Sequence, residues 1–201
     1  MESIPPPVSD FQSICHQLAQ RSLPLLSLPV EPERIRQAAV TLLLRDGAGA
    51  AELLIIKRAE HPSDPWSGHL ALPGGRADAT DEHLIATAAR ETFEEVGVRL
   101  SLSESFIGRL ETYAPRNPQL PQIEITPLIA LAPPEINLQM SQEVADAFWM
   151  PVRELKEVGL ADEFPWQFGE LIVKRPAYPS PRGPIWGITE RILTTFFSLI
   201  D

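Results

Sequence analysis

Residues 72–98 read LPGGRADATDEHLIATAARETFEEVGV, and the reading of this stretch decides the rest. It opens on Pro73-Gly74-Gly75, a loop able to bring bare backbone close to a neighbour, because glycine has no Cβ. After Thr80 or Asp81, either of which suits an N-cap, the pattern turns helical. Leu84, Ile85, Ala88, Ala89, Thr92 and Val96 recur at helical spacing and form a buried face. Glu91, Glu94 and Glu95 stand at i, i+3 and i+4, so the same helix gathers their carboxylates on one exposed face. Gly97 closes the helix in the place of a C′ glycine.

Three carboxylates on one helical face repel one another. A helix built for stability alone interleaves them with lysine, but the neighbours here are Thr92, Phe93 and Val96, and Arg90 offers the one positive charge. A divalent cation resolves the repulsion. Mg²⁺ is a hard ion that takes oxygen ligands and works beside substrate phosphates. The alternative is a solvated acidic face, which an isolated E-x-x-E-E would favour. The Gly-Gly loop upstream and the Arg-Glu pair in front favour the metal.

At these residues the chain resembles the Nudix box, G-x5-E-x7-R-E-U-x-E-E-x-G-U, with U aliphatic. Arg90-Glu91, Glu94-Glu95, Gly97 and Val98 fall in register, and Glu82 stands eight before Arg90. There are two departures. Gly75 lies seven before Glu82, one residue more than the pattern, and Thr92 replaces an aliphatic residue. The resemblance implies an α/β fold, a mixed β-sheet in an α/β/α sandwich. It also implies Mg²⁺ or Mn²⁺ held by Glu91, Glu94, Glu95 and the Gly74 carbonyl.

The bulk composition agrees with a globular enzyme. A chain of 201 residues with 44% hydrophobic and 22% charged residues has enough length for one sizeable core. A net charge of −10 disfavours a nucleic-acid partner, which requires a basic surface. It suits an anionic small nucleotide once a cation stands between them. A single cysteine, Cys15, excludes an intramolecular disulfide; a helix-core position is expected for it rather than a reactive thiol. No stretch has the length and apolarity of a membrane span, and MESIPPPVSD lacks the basic and apolar regions of a signal peptide. The expected setting is cytoplasmic.

Along the chain, residues 1–35 read as an N-terminal arm with a short helix over 11–23, and 36–201 as the catalytic domain. Strands are expected over 36–44, 52–57, 69–72, 105–113, 123–131, 143–150 and 171–173. A short helix follows Pro151, residues 114–121 and 176–185 form Pro-rich loops, and a closing helix spans 185–200. The arm is long enough to reach a second copy, so a homodimer is one assembly the sequence allows.

Three further segments resemble the coenzyme A diphosphatase branch of the family: 54–58 (LIIKR), 142–151 (QEVADAFWMP) and 185–189 (IWGIT). That branch's upstream signature has an arginine and a histidine where Asp64 and Trp66 stand, and a phenylalanine in place of Leu72. The resemblance implies hydrolysis of a nucleoside diphosphate linked to another moiety, with coenzyme A or a derivative first among the substrates. An ADP-ribose or nucleotide-sugar diphosphatase is the alternative, and a non-catalytic nucleotide-binding module a third. Glu91 and Glu143 are the candidate bases, Glu143 also as an extra ligand or a plain strand-end glutamate. Arg90 braces carboxylates and loop, and Glu82 sits favourably at the helix N-terminus. Arg58 and Gly75 are candidate substrate contacts. Trp66 either stacks on a base or anchors its loop, and Arg116 lies in a loop that shapes selectivity.

Overall fold

The structure, a computed structural model, describes residues 9–26, 28–31, 36–61, 66–115, 122–168 and 171–201. The strand expected over 36–44 is longer: β1 (Arg36–Gly47) turns through Ala48 and Gly49 into β2 (Ala50–Arg58). Both turn residues have positive φ, 58° and 101°, as tight hairpin turns require, and Gly49 donates its N–H to Asp46 at 2.6 Å.

The apolar run of β1 is buried on both sides. Ala39 and Leu43 join Leu54, Ile56, Leu128 and Ala130 on one face. Ala38, Leu42 and Leu44 join Leu53, Ile55 and Ile129 on the other. Helix α1 (Asp10–Arg21) covers this second face with Ile14 and Leu18, both fully buried. Cys15 on α1 is half-buried rather than in the core, and burial pushes its thiol up to about 11, which leaves it a poor nucleophile.

β1 and β2 pair only near their hairpin, from Leu44↔Leu53 to Gly47↔Ala50. Beyond it they part, and the stretch after residue 69 runs in the gap. There β3 (Leu70–Ala71) pairs with Ile56 and Lys57 of β2. The expected Gly-Gly loop is instead a short strand, β4 (Gly74–Arg76), antiparallel to Ala38–Val40 of β1. Thr41 N–H donates to the Pro73 carbonyl at 2.7 Å and pins the crossing.

Helix α2 (Leu84–Val96) packs Leu84, Ala88 and Val96 on the first face of the sheet. Strands β5 (Phe106–Arg109) and β6 (Ile123–Leu131) extend the sheet, β6 running parallel to β1, and β7 (Val144–Pro151) pairs with β2. The main order is β3-β2-β1-β6-β5, with β4 on β1 and β7 on β2, a mixed sheet as expected. Helix α3 (Val152–Val158) follows Pro151 and covers the second face beside α1.

Strand β8 (Ala161–Phe168) was not expected, and β9 (Leu171–Tyr178) was expected only over 171–173, so it runs into the segment read as a loop from 176. Pro165 and Pro176 argue against such a reading. The structure accommodates Pro176 opposite a register shift between Ala161 and Phe164, where a missing N–H breaks no regular ladder. β10 (Ile185–Trp186) pairs with β9, so the closing helix α4 (Ile188–Phe197) starts after it. Ile192, Leu193 and Phe196 of α4 complete the second face, giving the expected α/β/α layering. Among the described residues no helix is long and apolar enough to cross a membrane.

Thr92 has a structural partner. Its buried hydroxyl donates to Thr41 on β1 at 2.9 Å, and Thr41 donates to the Ala88 carbonyl at 3.5 Å. Thr92→Val is therefore expected to cost about 1 kcal/mol, and Thr41→Val, which strands the Thr92 hydroxyl, about 1–3 kcal/mol. In denaturant titrations the double variant should be less destabilised than the sum of the two singles.

Candidate active site

The site is assembled where α2 meets β4. The cap of α2 differs from expectation. His83 is the N-cap, its Nδ1 accepting the Ala86 N–H at 3.0 Å. Thr80 and Asp81 are committed to a turn just upstream: Asp81 N–H bonds the Asp78 carbonyl at 3.0 Å, Asp78 N–H bonds Asp81 Oδ2 at 2.9 Å, and Thr80 bonds Asp78 Oδ1. Gly97 ends the helix at φ 74°, as read from the sequence. Past it, the segment after Leu138 folds back onto the helix end. Gln139 N–H donates to Val96 O at 2.9 Å and Ser141 N–H to Glu95 O at 3.0 Å, which satisfies two terminal carbonyls. Glu143 follows, and its carbonyl accepts from Ala59 N–H at 2.8 Å, just past Arg58 at the end of β2.

Gly74 is required sterically, and a side chain at Gly75 would displace the end of Glu91. A Cβ on Gly74, whose φ is 147°, would lie 2.3 Å from the Ala39 carbonyl of β1. A Cβ on Gly75 would lie 2.4 Å from the Glu91 carboxyl carbon. So β4 presses its backbone against β1 and against a carboxylate of α2. Gly74 N–H donates to Glu95 Oε2 at 2.8 Å.

Arg90 spends all five N–H donors. Nε and Nη2 grip Asp81 at 3.1 and 2.9 Å, Nη1 reaches Glu91 at 2.8 Å and Glu94 at 3.0 Å, and Nη2 also meets the Arg76 carbonyl at 2.9 Å. It ties the helix to the turn and to β4. Sequence reasoning missed Asp81 as its anchor: the two residues are nine apart across a turn, and helical periodicity carries no signal for that contact.

The three glutamates differ in setting. Glu94 is exposed and Glu91 half-buried, whereas Glu95 is 5% exposed. The uniformly exposed acidic face expected from spacing is thus corrected, because α2 turns Glu95 toward Gly74. Burial pushes Glu95 up to about 8, against the Gly74 N–H that holds it down; Glu91 and Glu143 push it further and Arg58 opposes them. Burial also raises Glu91, against Arg90, with Glu94 and Glu143 adding to the rise. Glu91, Glu95 and Glu143 therefore share one field, with Arg58 at its edge.

This donor set suits a hard divalent cation. Among the described residues no three acidic, histidine or cysteine side chains are already drawn around one point, because Arg90 and Gly74 hold the glutamates apart. Each of these bonds uses one carboxylate oxygen, Oε1 of Glu91 and Oε2 of Glu94 and Glu95. The second oxygen of each stands outside them. A carboxylate as buried as Glu95, with two further carboxylates in its field, is relieved by a cation, so the residues fit a metal.

The remaining candidates fall around this centre. Trp66 is 43% exposed, which excludes a buried loop anchor. Glu82 is exposed one residue ahead of the N-cap. Asp64 and Arg116 lie outside the described residues. His69 on the approach to β3 meets Trp186 edge-on, ring centroids 4.7 Å apart.

A family model for the NUDIX domain matches residues 35–171. The uncharacterized Nudix hydrolase NudL of Enterobacter sp. is 39% identical over 122 residues, 59% of this chain and 59% of that protein. An uncharacterized protein of Schizosaccharomyces pombe is 39% identical over 108 residues, 51% of this chain and 32% of its own. The chain thus spans about a third to three fifths of these curated relatives. Among solved structures, a MutT/nudix family protein from Enterococcus faecalis has the same fold, with a TM-score of 0.56 at 21% identity over 91% of this chain and 72% of that one.

The Arg90 anchor has a measurable acid limb. Arg90 holds the Asp81 carboxyl down to about 2, from 3.8, in the folded protein. A lowered folded value gives stability that is full above the unfolded value and lost as pH falls from about 4 toward 2. The shift corresponds to about 2 kcal/mol. Asp81→Asn is expected to lose that much at pH 6 and to flatten the fall in stability between pH 4 and 2, read by denaturant unfolding across pH.

Proposed function

The chain belongs to the Nudix family, and from that membership we propose that it is a metal-dependent diphosphatase. Its substrate is a small nucleotide, a nucleoside diphosphate linked to another moiety, with coenzyme A or a derivative as the first candidate. The observation that carries this reading is the placing of Glu95 against Gly74 and of Glu91 against Gly75, with Glu143 in the field of Glu95, in a site whose Arg90 is fully engaged within the protein.

Glu91, Glu94 and Glu95, with the Gly74 carbonyl, would hold Mg²⁺ or Mn²⁺. The bound cation supplies charge against the diphosphate oxygens and acidifies water. The rest falls to the chain. Glu143, just past the segment that caps α2, accepts the proton of the attacking water, with Glu91 the other candidate base. Arg58 contacts a phosphate, and Gly75 leaves the backbone open to it. Arg90 positions the glutamates without touching substrate.

The three segments that resemble the coenzyme A branch adjoin in space, which supports that substrate. Leu54–Arg58 pairs with Val144–Trp149 along β2 and β7, and Trp186 lies against His69 before β3. A specific observation favours the second reading, an ADP-ribose or nucleotide-sugar diphosphatase. Trp66, which replaces the branch's histidine, is 43% exposed, and an aromatic side chain at the surface suits stacking on a base. The catalytic unit in either case is 36–201, with 1–35 an N-terminal arm whose helix α1 packs into its core through Ile14 and Leu18.

A Mg²⁺- and Mn²⁺-dependent screen of coenzyme A, acetyl-coenzyme A, ADP-ribose, NADH and diadenosine polyphosphates separates these. Release of 3′,5′-ADP and 4′-phosphopantetheine is expected; AMP from ADP-ribose alone selects the second reading. Glu94→Gln should fall to background with its melting curve intact, and Glu143→Gln should lose on the order of 10²-fold in kcat or more. Full activity in Glu94→Gln would sink the metal assignment.

A further inference from the structure

Glu143 is the first candidate base, and it is exposed. Among the described residues no hydrogen bond or ion pair reaches its carboxylate. Its charge is nevertheless felt at both Glu91 and Glu95, so it stands beside the metal centre. A side chain with no restraint of its own is placed by its backbone.

Two hydrogen bonds fix that backbone. The Glu143 carbonyl accepts from Ala59 N–H at 2.8 Å, and the Glu143 N–H donates to Ser141 Oγ at 3.2 Å. The first is made between main chains and survives most substitutions. The second depends on one hydroxyl, which accepts from the N–H two residues on, as serine does in tight turns.

Ser141 also reaches the metal ligands. Its N–H donates to the Glu95 carbonyl at 3.0 Å, in the last turn of α2. Its carbonyl accepts from Val144 N–H at 3.3 Å, where β7 begins. Glu95 is thus held twice, by Gly74 on its carboxylate and by Ser141 on its main chain. The line of bonds runs on through Glu143 to Ala59, next to Arg58, whose charge is also felt at Glu95. Metal ligand, base and phosphate contact come from three distant parts of the chain. This run of hydrogen bonds sets their spacing, and Ser141 is the residue in it whose side chain takes part.

We infer that Ser141 is a positioning residue: its hydroxyl fixes Glu143 relative to Glu95, and it acts on hydrolysis only through the Glu143 carboxylate. This role rests on the diphosphatase reading with Glu143 as its base. Ser141→Ala removes the acceptor but keeps the N–H that caps α2, so the metal ligands hold their places.

Ser141→Ala, Ser141→Thr, Glu143→Gln and the Ser141→Ala/Glu143→Gln double variant are compared in kcat, KM and Mn²⁺ affinity by calorimetry. Ser141→Ala should lose about tenfold in kcat, because a small misplacement of a reacting group is costly. Its KM and Mn²⁺ affinity should stay within about twofold of wild type, since Ser141 touches neither substrate nor metal. Ser141→Thr keeps the hydroxyl and should recover kcat. In the Glu143→Gln background the alanine change should cost nothing further, because the group it positions is gone. Amide exchange at Glu143, followed by NMR, gives a readout without turnover: it should quicken about tenfold in Ser141→Ala and not in Ser141→Thr.

Ser141 loses this role if the alanine variant keeps wild-type kcat, if threonine does not recover it, or if Glu143 exchange is unchanged. It loses it equally if the alanine change costs the same factor with and without Glu143, which is what a merely structural serine would do. A wild-type protein that hydrolyses nothing in the screen is a separate failure: it removes the diphosphatase reading, and this role with it.

Discussion

The Gly74 N–H on the Glu95 carboxylate, at 2.8 Å, is the contact on which the site is built. It places a charged side chain inside the protein with one direct hydrogen bond, and it exists only because β4 lies close to both β1 and α2. At Gly74 the limit is the Ala39 carbonyl, and at Gly75 it is the Glu91 carboxylate. No side chain larger than hydrogen fits at either point without moving a neighbour. β1 must in turn be rigid, and burial of both its faces makes it so. The Thr41–Thr92 hydroxyl bond then sets how α2 lies on β1, beside Glu91 and about one helical turn from Glu95.

Charge follows from this geometry. Arg90 is surrounded by Asp81, Glu91 and Glu94, so its single charge is shared among three carboxylates, and Glu95 receives none of its hydrogen bonds. Glu95, buried and with Glu91 and Glu143 in its field, is where a negative charge is held at greatest cost. An arginine with donors to spare could neutralise Glu95 and remove the need for a cation. Spending every donor on bracing leaves that need in place.

The sequence made visible what depends on local periodicity. Helix α2, its Gly97 stop, and strands β1, β2 and β6 are strong because each pattern repeats over many residues. What was not visible depends on contacts between distant segments. Capping by His83 follows from Asp81 being claimed by Arg90. Burial of Glu95 follows from β4 lying over it, and spacing within the helix treats Glu91, Glu94 and Glu95 alike. The segment 139–142 lies between a turn and a strand with no periodicity of its own, and its role in holding the end of α2 appears only once Gln139 and Ser141 reach back to it. In β8 and β9 the prolines masked strands that a register shift accommodates.

The two departures from the family pattern are both absorbed away from the carboxylates. The extra residue between Gly75 and Glu82 lies in a segment folded into the closed turn from Asp78 to Asp81, and that turn supplies the carboxylate that anchors Arg90. The polar Thr92 is matched by Thr41. Neither alters which oxygens α2 offers or where β4 meets them. A change of substrate relative to other family members therefore has to arise at the periphery, in the strand ends and loops near Arg58, Trp66 and Trp186.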